Sequence, residues 1–128
     1  MLKQPEIREL CQGEIRDFIL ELVEKELRNI PADLHCRRRE LCETILAYNR
    51  PVGNRTAVKQ KVLSILKQWD AKKEHISSLE SFGFNIVKGK THYKMRWNNS
   101  TYCTSLSSSA SDRRANLNSI QDATRTFF

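Results

Sequence analysis

The spacing of apolar residues changes character near residue 83. Before it, they recur at intervals of three and four. Ile7, Leu10, Cys11, Ile15, Phe18, Ile19, Leu22, Val23 and Leu27 form one stripe, which predicts an amphipathic helix from Pro5 to about Arg28. Pro5 suits a first helical turn, where its missing N–H costs nothing, and Asn29-Ile30-Pro31 ends the segment. A second helix is expected from Ala32 or Asp33 to Tyr48, with Leu34, Leu41, Ile45, Leu46 and Tyr48 inward and His35, Arg37, Arg38 and Arg39 outward. The turn-rich run 49–54 follows. Asn54 then reads as the N-cap of a third helix reaching Trp69, with Val58, Val62, Ile65, Leu66 and Trp69 buried and Lys59, Lys61 and Lys67 in water. A short fourth helix, from about Ala71 to Phe82, stops at Gly83.

After Gly83 the period drops to two. Phe84–Lys88 reads as a strand, and Gly89-Lys90 as a tight turn. In the next strand Thr91, Tyr93, Met95 and Trp97 share one face, while His92, Lys94 and Arg96 share the other. A turn at Asn98-Asn99-Ser100 leads to a third strand, Thr101–Leu106. The polar run 107–111 is a loop, and Ser111 or Asp112 caps a last helix that packs through Leu117, Ile120, Ala123, Thr124 and Phe127. The expected fold class is α+β: a helical region over 1–70, then an α-β-β-β-α domain over 71–128 with a three-stranded antiparallel sheet. In such a unit both helices cover one sheet face and leave the other free.

Composition narrows the classes. The 128 residues carry 39% hydrophobic and 29% charged side chains, enough apolar material for a core. No stretch approaches a membrane span and the N-terminus lacks the apolar centre of a signal peptide, so a cytoplasmic protein without membrane contact is expected. Cys11, Cys36, Cys42 and Cys103 are scattered, without C-x-x-C pairs or zinc-finger histidines, and read as reduced thiols. No metal or cofactor is called for.

The net charge is +7, and its distribution is uneven. Residues 1–33 sum to −3, whereas 34–83 and 84–128 each sum to +5. A basic body suits a polyanion. The central strand sharpens the point, because cations crowded on one sheet face repel each other unless an anion balances them, and phosphate is the obvious one. Lys88, Lys90, His92, Lys94 and Arg96 are therefore candidate nucleic-acid contacts. Arg113 and Arg114 join them, since cations opening a helix oppose its dipole and a docked phosphate would relieve this. Arg37, Arg38 and Arg39 form a secondary basic patch. The acidic first helix is longer than a small body needs and is a candidate docking element for a protein partner. Phe127-Phe128 either caps the core or is covered by a partner.

The stretch from His75 to Met95 resembles the opening of HicA-like proteins, most clearly in Gly83-Phe84 and Gly89-Lys90-Thr91-His92-Tyr93. The resemblance covers about residues 75–128. It implies a double-stranded-RNA-binding-domain architecture, makes RNA the preferred nucleic acid over DNA, and makes His92 the candidate catalytic residue of an mRNA-cleaving toxin. Cleavage by one histidine would still need a second proton carrier or a cation at the phosphorane. Lys90, Lys94 and Arg96 could serve as that cation, while Asp112 and Asp122 stand too far apart to be paired metal ligands. Three readings follow: a nucleic-acid-binding module, which the residues favour; a HicA-like ribonuclease; and a non-enzymatic subunit of a bacterial toxin–antitoxin or defence complex, docked through its N-terminal helices.

Overall fold

The computed structural model describes residues 8–108 and 113–128, with the side chain of Arg113 outside that description. The element order is α1 (Glu14–Asn29), α2 (Arg37–Tyr48), α3 (Asn54–Lys67), α4 (Lys73–Ser81), β1 (Phe84–Lys88), β2 (His92–Trp97), β3 (Cys103–Ser107) and α5 (Arg113–Phe127). This is the α+β arrangement expected. The chain packs as two compact units, residues 1–55 and 56–128. The body of α3 thus falls with the sheet, and the division lies well before the one expected after residue 70.

In the first unit, α1 starts later than expected. Pro5 and Ile7 lie outside the described residues, but Arg8–Gly13 are not helical. Gly13, at φ 83, sits in the left-handed region and begins the helix. The carboxylate of Glu9 accepts from the Ile15 amide at 2.8 Å, and that of Glu14 accepts from the Leu10 amide at 2.9 Å. These bonds satisfy amides at the helix start, so the helix need not extend back to Pro5.

The buried face of α1 also differs from the apolar stripe. Asp17 and Leu20 are buried, while Phe18, Ile19 and Leu22 are exposed. Asp17 turns inward because its two carboxylate oxygens accept from the Val52 and Gly53 amides, at 2.7 and 2.8 Å. Arg55 pairs with Glu21 and lies over the Phe18 ring. The second helix begins at Arg37, not at residue 32 or 33, and buries Cys42. Leu34, Leu41, Ile45 and Tyr48, expected inward, are exposed, Tyr48 by 84%. Arg39, expected outward, folds back: its guanidinium donates to the Leu34 carbonyl at 2.8 Å and the Pro31 carbonyl at 2.6 Å. That clasp holds the α1–α2 connection. Asn54, expected as an N-cap acceptor, is the first residue of α3 and donates to the Gln12 carbonyl at 3.1 Å.

The second unit holds the larger core. Val62 and Leu66 of α3, Trp69, Leu79 of α4, Phe84, Met95, Trp97, Leu106 and Ala123 are all buried, each worth about 1.5–3 kcal/mol for the larger side chains. Trp69 anchors the end of α3: its indole N–H donates to the Ser107 carbonyl at 2.8 Å, and its ring meets Tyr93 edge-on. The fourth helix starts at Lys73 and not at Ala71, since Ala71 takes φ 60 and breaks the helical path. Asp70 organises this corner. Burial opposes its ionisation, yet the hydrogen bonds and charge of Lys72, with His75 beside it, hold its carboxyl below the usual carboxylate range.

The sheet order is β1-β2-β3, antiparallel throughout, with β2 central. The β1–β2 turn is centred on Lys90-Thr91, one residue beyond the expected position, because the Gly89 amide bonds the His92 carbonyl at 2.7 Å. Helices α4 and α5 pack on β1 and β3 respectively. Phe127 closes the core edge-on against Phe84, ring centroids 5.0 Å apart, so this one of the two C-terminal aromatics caps the core. Leu117, expected inward on α5, is exposed; Asn116 takes the inward place and donates to the Trp69 carbonyl at 3.0 Å.

Candidate nucleic-acid interface

Alternation along β2 decides what each sheet face carries. Met95 and Trp97 are buried and Tyr93 half-buried, whereas His92, Lys94 and Arg96 are exposed. Strand residues of one face recur every ~6.7 Å, so the three form a line about 13 Å long down the middle of the sheet.

Register supplies the flanking groups. Asn85 and Cys103 stand opposite Arg96, Val87 and Ser105 opposite Lys94, and Ser107 opposite His92. Asn85, Ser105 and Ser107 also belong to this surface, a place that periodicity alone does not show and that follows only once the strands are paired. Lys94 Nζ donates to Ser105 Oγ at 3.1 Å, which holds the ammonium over β3. Asn85 Nδ2 donates to the Asn98 carbonyl at 2.7 Å and pins the far turn. The strand positions of this face therefore carry His92, Lys94, Arg96, small polar groups, Val87 and Cys103, with no carboxylate, Phe, Tyr or Trp.

Charge balance distinguishes this face from the basic run at the start of α2. Among the described residues, no carboxylate lies within ion-pair range of Lys88, Lys90, His92, Lys94 or Arg96. In the first unit, by contrast, Arg37 pairs with Glu40 at 3.0 Å, Arg38 with Glu26 at 3.0 Å and Arg39 with Glu43 at 3.6 Å. The secondary basic patch is thus compensated by its own chain.

The remaining candidate positions spread out. Lys90 sits exposed at the β1–β2 turn, beside His92. Lys88 pairs with Tyr93 and so belongs to the helix-bearing side of the sheet, exposed at its end. Arg113 and Arg114 open α5, with Arg114 exposed; the capping role expected of Ser111 or Asp112 falls outside the described residues. The structure brings His92, Lys94 and Arg96 together, with Lys90 adjacent.

The face can do two things chemically: present cations to a polyanion, and offer neutral donors and acceptors between them. No three His, Cys, Asp or Glu side chains converge as a metal site among the described residues, and no helix among them is long and apolar enough to cross a membrane. No protein family, curated protein or solved structure matches the chain.

Proposed function

We propose that this protein is a small nucleic-acid-binding module that contacts the phosphate backbone of RNA through the free face of its sheet, with the start of α5 as a further contact. The carrying observation is the uncovered line of His92, Lys94 and Arg96 without a carboxylate partner among the described residues. Neutralising phosphates with Lys94 and Arg96 releases the counterions condensed on the nucleic acid. The described strand positions of the face carry no Phe, Tyr or Trp, which favours backbone contact over base stacking. Asn85, Ser105 and Ser107 flank the basic line on β1 and β3 and suit the 2′-hydroxyl, both donor and acceptor, which favours RNA over DNA. The likeness of residues 75–128 to HicA-like proteins points the same way. Cleavage is not part of this reading, because among the described residues the strand positions of His92's face carry neither a second imidazole nor a carboxylate. The test is anisotropy titration of labelled duplex RNA and duplex DNA over a salt series: RNA should bind more tightly, with affinity falling linearly on a log–log plot.

A second reading, as a subunit docked through its N-terminal helices, is favoured by one observation in the first unit. The Glu26–Arg38 pair places one side of α1 beside one side of α2. Counting back from Glu26 by helical steps gives Leu22, Ile19 and Phe18; counting forward from Arg38 gives Leu41, Ile45 and Tyr48. All six are exposed, an apolar surface of the kind that marks protein contacts. Asp in place of Leu22 and Ile45 should abolish co-purification of a partner protein while leaving RNA affinity unchanged. Loss of RNA affinity with partner retained would reverse the assignment of the two surfaces.

A further inference from the structure

The two edges of the sheet are not alike. On β3 two outward carbonyls are taken: Ser107 accepts from the Trp69 indole at 2.8 Å and Ser105 from the Ser119 hydroxyl at 3.5 Å, and α5 packs alongside. On β1 they are not. The Asn98 amide bonds the Gly83 carbonyl at 3.0 Å and the Gly89 amide bonds the His92 carbonyl at 2.7 Å. In an antiparallel ladder the bonded pairs alternate, so positions 83, 85, 87 and 89 face β2. The amides and carbonyls of Phe84, Ile86 and Lys88 then point away from the sheet. None of them has a partner among the described residues. A shallow groove of about 600 Å³, lined by Glu80, Phe84, Ile86 and Asn98 among others, runs along this edge. Unpaired edges template the addition of another strand.

We propose that the occupant is a second copy of this chain, its β1 pairing antiparallel with this β1 about a twofold axis at Ile86. The edge is self-complementary in that register. Ile86 meets Ile86 of the second copy and Phe84 meets its Lys88, so the outward groups of Phe84, Ile86 and Lys88 are satisfied on both strands. Asn85 falls opposite Val87, which is 62% exposed in one copy. Charge agrees as well. Lys88 shares the helix-bearing side with Phe84, so the second copy's ammonium arrives beside Phe84, where Glu80 of α4 lines the groove with an exposed carboxylate. Glu80 has no ion-pair partner among the described residues. The twofold axis makes this pair occur twice. It also keeps both free faces on one side, giving a continuous six-stranded sheet with two lines of His92, Lys94 and Arg96.

The test is sedimentation equilibrium of the full chain from micromolar to submillimolar concentration, with far-UV circular dichroism checking each variant's fold. The wild type should show a monomer–dimer equilibrium. Lys88→Glu should weaken dimerisation roughly tenfold, by facing Glu80 with a like charge twice, and the Glu80→Lys/Lys88→Glu double variant should restore it. Ile86→Pro should be monomeric, since it removes an outward amide and leaves the β1–β2 ladder intact. Should Ile86→Pro fail to fold, the charge pair decides alone. A wild type monomeric throughout overturns the proposal. So does a dimer that Lys88→Glu does not weaken, which would place self-association elsewhere. RNA binding by a wild type that stays monomeric at every concentration would overturn this proposal and leave the proposed function standing.

Discussion

Asp17 shows how much one side chain can decide. It lies off the apolar stripe of α1, yet is more buried than Phe18 or Leu22 on that stripe because two loop amides converge on its carboxylate. Asp17→Asn keeps the size but replaces one acceptor oxygen with an NH2 donor, leaving one loop amide facing another donor. We expect a loss of about 1–3 kcal/mol in chemical denaturation followed by far-UV circular dichroism; an unchanged midpoint would show that water can replace the lost bond. Cys11, nearby, illustrates the same acidic setting. Burial first, then the charges of Glu14, Glu9 and Asp17, push its thiol up, so it holds less thiolate at neutral pH than a free cysteine and is a poor nucleophile.

Element boundaries record local chemistry that periodicity alone does not carry. The stripe from Ile7 to Leu27 correctly marked a helix, but its start depended on Gly13 in the left-handed region and on the carboxylates of Glu9 and Glu14. Period also says that a stripe exists, not which stripe is covered: in α1 and α2 the buried positions are Asp17, Leu20 and Cys42, while Phe18, Ile19, Leu22, Leu41, Ile45 and Tyr48 stay exposed. The period-two segment was more legible. Sheet alternation admits one inward face, and Met95, Trp97 and Leu106 fill it. His92, Lys94 and Arg96 could be named from the sequence for that reason, while Asn85 and Ser105 needed the register. A paired substitution separates backbone strain from packing at the start of α1. Gly13→Ala forces a Cβ to within 2.7 Å of Val52 Cγ2 at φ 83, whereas Gly53→Ala, at φ 92, meets nothing within 4 Å. The second should cost about 1–2 kcal/mol, the left-handed penalty alone; the first should cost clearly more by the same denaturation assay. Equal losses would mean that Val52 moves aside freely.

At the scale of the whole molecule, charge is sorted. The basic residues of α2 are answered by Glu26, Glu40 and Glu43, while those of β2 are answered by no described carboxylate. An excess of +7 is therefore not spread evenly over the surface. The most direct measurement is the salt dependence of duplex-RNA affinity for the wild type and for Lys94→Glu/Arg96→Glu. If the free sheet face holds phosphate, the double variant should bind at least tenfold more weakly at low salt, and its log–log slope should be shallower by about 2, one for each contact removed. Equal affinity and equal slope for the two proteins, with the variant's fold intact, would contradict the account.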